Sequence, residues 1–367
     1  MSSILHQVLA LLDQKCSAPG QLPCVSIVIA NYNGGRLVEG CLRSVFKTDF
    51  PSFEVIVVDN GSTDGSPDVI AEHIPAARLI RLRKNLGFAV ANNIGIQAAS
   101  GKYLVLLNGD TEVEPQWLTR LVEAAERMPE TAFLQPKILF LDNRDVINSA
   151  GNEIHFAGFG VCRGIATRDS GRFDQVEKIG YASGACVMVS REALQKIGPL
   201  DDIFFVYGED KDWGWRGKML GYESVYVPTS RVYHKWSAVL GWSPKKMYHL
   251  ELERIVSISK NYSKQAIALL APILGLVELG VLAHAVIKGW FREKILAYAH
   301  AIAFRKEIAR RRKQVFSQRK LPDRLLLREF VYDLQHPYVG RLAAPLNFVC
   351  RLYSRLLIFD QPTWRCV

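Results

Sequence analysis

Short apolar runs alternate with helix-period segments through the first third of the chain. Val25-Ser26-Ile27-Val28-Ile29-Ala30 is a β-branched run that stops at the turn-rich Asn31-Tyr32-Asn33-Gly34-Gly35. The next segment places Leu37, Cys41, Leu42, Val45 and Phe46 on one helical face. Residues 53–58 read as a second strand that ends in the polar cluster from Asp59 to Ser66, and a helix is expected from Pro67 to His73. Residues 79–82 read as a third strand, Asn85-Leu86-Gly87-Phe88 opens a long helix through Ala99, and residues 103–107 form a fourth strand. Strands separated by helices of this length predict an α/β fold with a parallel sheet covered on both faces. Ligands of such sheets bind beyond the carboxyl ends of the strands. Asn31, Asp59, Asn85 and Asp110 all fall at those ends, so one cleft can contain them.

The chemistry-bearing residues recur in a fixed order. An apolar run delivers Asn108-Gly109-Asp110, the acidic cluster Glu209-Asp210-Lys211-Asp212 follows about a hundred residues later, and Val232-Tyr233-His234 comes after it. Taken singly, each has a plain explanation: a turn, a solvated helix start, a structural histidine. Together they suit a hard divalent cation plus a separate carboxylate base. A diphosphate leaving group gains charge in the transition state, which a divalent cation stabilises. A hydroxyl is a weak nucleophile at neutral pH and needs a positioned base. One base and no separate nucleophile imply a single displacement with inversion.

Ile29-Ala30-Asn31-Tyr32-Asn33, the run from Val57 to Gly65, Asn92-Asn93-Ile94-Gly95-Ile96 and Leu107-Asn108-Gly109-Asp110-Thr111 resemble family 2 glycosyltransferases with the GT-A fold, and most closely the rhamnosyltransferase-like branch. Ser183-Gly184-Ala185, the run from Ile197 to Asp201 and the run from Phe204 to Asp212 extend the resemblance over roughly residues 23 to 262. It implies a Rossmann-like mixed sheet with helices on both faces. It also implies that Asp59 contacts the nucleotide base, with Asn31 and Asn33 lining that end of the cleft. Asn85 and Asn93 would lie near the nucleotide or sugar, and Ser183, Gly184 and Ala185 would shape the sugar and acceptor side. Asp110 would bind Mg2+ or Mn2+, with Asn108 at the first position of the metal motif and His234 completing the site or touching the diphosphate. Asp210 would be the general base, with Glu209 as second choice. The chain departs from the family pattern at Asn108, which replaces an acidic ligand by a neutral oxygen, and at Gly109, which loosens the turn. Trp213 and Trp215 read as packing residues, Asp212 as a partner for Arg216 one helical turn on, Lys235 as an exposed lysine, and Asp64 and Ser66 as turn and cap.

The expected activity is a metal-dependent, inverting transfer from a nucleotide-diphosphate sugar, with dTDP-rhamnose the leading donor, to a lipid-linked or cell-surface glycan acceptor. A non-catalytic nucleotide-sugar-binding scaffold of a glycan assembly complex is the alternative, and Asn108 is its only support. A processive polysaccharide synthase is disfavoured, because its Gln-x-x-Arg-Trp motif is absent.

Charge adds a location. The net charge is +10, and the excess gathers between Lys288 and Arg328, with Arg310-Arg311-Arg312-Lys313 at its centre. Immediately before it runs an apolar stretch from Ala266 to Ile287, as long as the ~20 residues of a membrane span. A span would put the basic segment opposite the catalytic domain, yet nucleotide sugars and the basic excess both belong on the cytoplasmic side. The reading is therefore a kinked or in-plane helix that enters one leaflet, with the basic segment on anionic headgroups. A soluble core helix and a single true span are the alternatives. No base-reading module accompanies the basic tract, so nucleic acid is not an expected partner. Residues 4–12 suggest a short amphipathic helix and not a signal peptide. Seven cysteines without Cys-x-x-Cys spacing read as reduced thiols. The expected organisation is an N-terminal amphipathic arm (1–22), a GT-A domain (23–262), an apolar membrane-associating helical segment (263–304) and a basic C-terminal tail (305–367).

Overall fold

The computed structural model describes residues 24–235, 243–334 and 344–357. The expected N-terminal arm, with its amphipathic stretch, lies outside the described residues, as do the last ten residues of the basic tail.

The first four strands are β1 (Val25–Asn31), β2 (Phe53–Asp59), β3 (Arg78–Arg81) and β4 (Tyr103–Leu107), joined by helices α1 (Gly35–Val45), α2 (Ser66–His73) and α3 (Phe88–Ala98). They pair in parallel in the order β3-β2-β1-β4. Alternation along β1 explains why both faces need cover. Ile27 and Ile29 enter one apolar cluster with Val38, Cys41, Leu42 and Val45 of α1, while Val28 enters the other with Ala91 and Ile94 of α3. A Cβ on Gly95 would lie 2.2 Å from Val28 Cγ1, so α3 sits on the sheet at a distance only glycine permits. The inward face of α1 is built on Val38 and not on Leu37 or Phe46. Leu37 turns to the cleft at the strand ends, and Phe46 is the exposed C-cap residue.

The second half makes the sheet mixed. After β5 (Thr111–Val113) and α4 (Trp117–Arg127) come β6 (Thr131–Phe140), β7 (Ile147–Ser149), β8 (Asn152–Ile154), β9 (Gly160–Cys162), β10 (Glu177–Ile179) and β11 (Cys186–Ser190). Helices α5 (Arg191–Ile197) and α6 (Glu209–Met219) precede the long strand β12 (Glu223–His234). Strand β11 runs antiparallel between β4 and β6, and β12 runs parallel to β6. The distal end of β12 pairs with β5, which sets His234 opposite Thr111.

Helices α7 (Pro244–Asn261), α8 (Lys264–Ile287), α9 (Phe291–Ala303), α10 (Arg305–Gln318), α11 (Asp323–Glu329) and α12 (Ala344–Leu357) form the C-terminal layer. Ala266, Leu270, Ile273 and Val277 line one face of α8 and pack on Phe156, Trp215, Tyr262 and Phe330. The opposite face leaves Leu279, Val286 and Ile287 exposed by 65, 63 and 76%. Glu278, in the middle of this apolar helix, points inward to Arg254 of α7 and to Lys294 and Tyr298 of α9. Charge pairing at Glu278 therefore ties the middle of α8 to the body of the protein.

The basic segment is less uniform than its sequence suggests. Lys294 is fully buried between Glu251 and Glu278, and Arg311 is clamped by Asp201, Asp202 and Glu307. These cations neutralise internal carboxylates, and only the remainder of the tract is available to solvent.

Candidate active site

Backbone pairing at the strand ends gathers residues far apart in sequence. Antiparallel β5 and β12 bring Asp110 beside His234, and the Lys235 amide donates to the Asp110 carbonyl at 2.9 Å. His234 Nε2 lies 3.4 Å from Asp110 Oδ1 and 3.5 Å from Asn108 Nδ2. Its other nitrogen, Nδ1, donates to Asn148 Oδ1 at 3.1 Å. That partner keeps the ring proton on Nδ1 and turns the Nε2 lone pair toward Asp110. Asn108 Oδ1 is buried beside them without a hydrogen-bond partner. A carboxylate and an imidazole nitrogen converge beside an amide whose oxygen is orphaned, and a cation would satisfy such a set. Among the described residues no cluster of three or more His, Cys, Asp or Glu forms, so oxygen atoms of a ligand would have to complete any coordination shell.

The acidic turn stands on a second scaffold. Tyr207 has φ +68° and Gly208 φ +81°, two left-handed residues in succession ahead of α6. A Cβ on Gly208 would lie 1.6 Å from Glu253 Cγ, so α7 closes directly over this turn. Asp210 Oδ2 accepts from the Gly184 amide at 2.8 Å and Oδ1 from the Lys211 amide at 2.7 Å. Burial raises its carboxyl above the usual range, and those two amides act against the rise. Glu209 is pushed well above the usual range by burial and then by the charge of Asp210. Its Oε2 is buried without a partner. Of the pair, Asp210 is the one placed to hold negative charge and accept a proton.

One cleft of about 1600 Å³ contains Asn31, Asn33, Asn85, Asn108, Asp110, Ser183, Gly184, Ala185, Glu209, Asp210 and His234. Two expected residues are not part of its lining. Asp59 is 3% exposed, and its carboxylate accepts from Asn31 Nδ2 at 2.9 Å and from the Ser62 amide at 3.3 Å. Asn60 takes the lining position, tied to Asn85 Oδ1 at 2.9 Å. Asn93 uses both ends of its amide on the Leu200 backbone, at 2.8 and 3.0 Å, and so fastens α3 to the loop after α5. Trp213 and Trp215 are fully packed, Trp213 donating to the Gly198 carbonyl at 2.8 Å. Asp212 accepts from Arg216 at 2.9 Å, Asp64 from the Ser66 hydroxyl at 2.6 Å, and Lys235 pairs with Asp142 at the surface.

Sequence reading missed Asn148, Ser149 and Asn152, which line the cleft from the β7–β8 corner, and Gln135, which accepts from the Ser183 amide at 2.8 Å. The polar run Asn148-Ser149-Ala150-Gly151-Asn152, set between two apolar segments, was the available signal.

Fold and cleft define a glycosyltransferase of GT-A architecture. Residues 26–198 match the family model described as Glycosyl transferase family 2. An N-acetylglucosaminyl-diphospho-decaprenol L-rhamnosyltransferase of Mycobacterium tuberculosis is 29% identical over 240 residues, 59% of this chain and 78% of that one. An O-antigen biosynthesis protein of Myxococcus xanthus is 30% identical over 226 residues, which cover 59% of this chain and 18% of that one. The crystal structure of GalNAc-T7 with UDP, GalNAc and Mn2+ shares the fold with a TM-score of 0.56 and 18% identity, over 72% of this chain; the match spans 55% of that one.

Proposed function

We propose that the chain is a divalent-metal-dependent, inverting transferase that moves a sugar from a nucleoside-diphosphate donor to a hydroxyl of a glycan or lipid-linked glycan. The observation that carries this reading is the placement of Asp210, held by two backbone amides, in the same cleft as the Asp110–His234–Asn108 cluster. Asp110, His234 and Asn108 would hold Mg2+ or Mn2+, which supplies charge neutralisation for the departing diphosphate. Asp210 takes the proton from the acceptor hydroxyl as its oxygen bonds to the anomeric carbon and the bond from that carbon to the diphosphate oxygen breaks. The amides of Gly184 and Lys211 keep the carboxylate aimed during this step. Asn31, Asn33, Asn60 and Asn85 offer neutral hydrogen-bonding groups to the nucleoside. Rhamnose is the first donor sugar to test, because the Mycobacterium tuberculosis relative is named as a rhamnosyltransferase.

The same reading places the protein on the cytoplasmic face of the cell membrane. Support comes from the outer face of α8, where Leu269 and Val286 are exposed, continued by Phe291 and Ile302 on α9 and flanked by Arg310. By length and composition α8 could cross a membrane, but Glu278 ties its inner face to Arg254 and Lys294, which fits an in-plane helix better.

Asp210→Asn tests the mechanism. The amide cannot take a proton, so nucleoside-diphosphate release in the presence of acceptor falls by about 10²–10⁴-fold while donor binding stays within about twofold. Turnover near that of the unaltered protein removes Asp210 as the base.

A further inference from the structure

Helix α7 contributes a carboxylate to the pocket of the base. Its Glu253 lies along the acidic turn, where the side chain from Cγ to Oε1 fills the space that a Cβ on Gly208 would need. The carboxylate pairs with Lys211 Nζ, which also donates to the Gly158 carbonyl. The Lys211 and Glu253 side chains are only 2 and 7% exposed, yet both line the cleft together with Asp210. Lys211 therefore serves two carboxylates. Its amide donates to Asp210 Oδ1 at 2.7 Å, and its ammonium holds Glu253.

The other charged groups on these elements are already matched. Asp212 is taken up by Arg216, Lys260 and Asn261. Arg254, next to Glu253 in sequence, turns to Glu251 and Glu278. Burial and then Asp210 push Glu209 toward its neutral form. Burial also keeps His155, Cys162 and Tyr181 neutral: the imidazole is lowered to about 3, the thiol raised to about 12 and the phenol raised well above its usual range. Glu153 faces Tyr181, and Lys246 faces Cys162 and the Tyr207 ring. Asp210, Lys211 and Glu253 remain as the interacting set. Burial pushes the Glu253 carboxyl up to about 7 against the pull of Lys211. One proton near neutral pH thus makes or breaks the ion pair. While Glu253 carries that proton, the Lys211 charge is uncompensated and stabilises ionised Asp210, which makes it a weaker base.

We propose that Glu253 is a positioning residue for the base: it holds Lys211 against the acidic turn and, when ionised, cancels the lysine charge that otherwise weakens Asp210 as a proton acceptor. The inference rests on the transferase reading and adds a control of its rate by pH. An ion pair that merely fastened α7 to α6 would, when broken, lower the rate by one factor at every pH.

The rate is read as nucleoside-diphosphate release to water at saturating divalent cation, with the nucleotide sugar that turns over, between about pH 6 and pH 8.5. In the unaltered protein kcat should rise about three- to tenfold through about pH 7. Glu253→Gln should remove that step and hold kcat at the lower plateau, with the donor KM within about twofold. Lys211→Met should also remove it but hold kcat at the upper plateau, because the cation is gone and Glu253 keeps its proton. Lys211→Met combined with Glu253→Gln buries no unpaired charge and keeps the test open if Glu253→Gln does not fold; it too should be flat at the upper plateau. A step near pH 7 that survives in Glu253→Gln or in the double variant overturns the proposal, as does a Glu253→Gln rate lowered by one factor throughout. Infrared spectroscopy needs no turnover and separates this proposal from the reading beneath it. A carboxylic-acid band should vanish as pH rises through about 7 and be missing in Glu253→Gln. Turnover without that band overturns the role of Glu253 alone; the band without turnover of any donor overturns the transferase reading and, with it, the role of Glu253 in the reaction.

Discussion

Asp212 is the anchor of the helix that carries Asp210, and its removal can be given a magnitude. The side chain is fully buried and accepts from Arg216 Nε at 2.9 Å, Asn261 Nδ2 at 2.9 Å and Lys260 Nζ at 2.7 Å. Burial opposes its charge, but Lys260 and Arg216 outweigh that and lower its pKa from 3.8 to about 2. At about 1.4 kcal/mol per pH unit, the shift corresponds to about 2 kcal/mol of folding stability. Asp212→Asn also leaves Lys260 and Arg216 with uncompensated buried charge, a change that costs about 3–5 kcal/mol where no other partner remains. Lys260 keeps Asp201, so the expected loss is nearer the lower figure. Because the folded pKa is depressed, this stability is fully present above about pH 4 and is lost as pH falls toward 2. Urea unfolding of both proteins at pH 7 and at pH 3 measures it. The gap should be about 2–4 kcal/mol at pH 7 and narrower at pH 3. A gap under about 0.5 kcal/mol at pH 7, or one that widens in acid, refutes the assignment.

Asn148→Ala frees the His234 ring and should raise the Mn2+ concentration for half-maximal activity by about 10–100-fold with little change in fold stability; an unchanged metal titration would show that Asn148 does not orient the histidine. Leu269→Glu combined with Val286→Glu puts charge on the outer face of α8, away from the cleft. The pair should abolish co-sedimentation with anionic vesicles, and undiminished sedimentation would sink the membrane reading.

Period-two and helix-period patterning made the first four strands legible, because each is a compact apolar run ending in turn residues. Asp110, Asp210 and His234 were legible as a set because each follows such a run or opens a helix. Asn93 lies off the lining of the cleft, since sequence shows that an amide sits on α3 but not that the Leu200 backbone occupies both its ends. Asp59 lies just behind the lining for a similar reason, its carboxylate being drawn into the Asn31 and Ser62 network. Asn148 stayed hidden because its role depends on a contact across 86 residues. The basic tract misled in part because a sequence does not reveal which cations have buried partners, as Lys294 has in Glu251 and Glu278.

The most direct test of the central claim is nucleoside-diphosphate release from a panel of nucleotide sugars, with Mn2+, with Mg2+ and with EDTA, beginning with dTDP-rhamnose. The account predicts release from one donor that depends on the divalent cation and disappears with EDTA. Release that persists in EDTA contradicts the metal role of Asp110, His234 and Asn108. Absence of both release and donor binding across the whole panel contradicts the transferase reading itself.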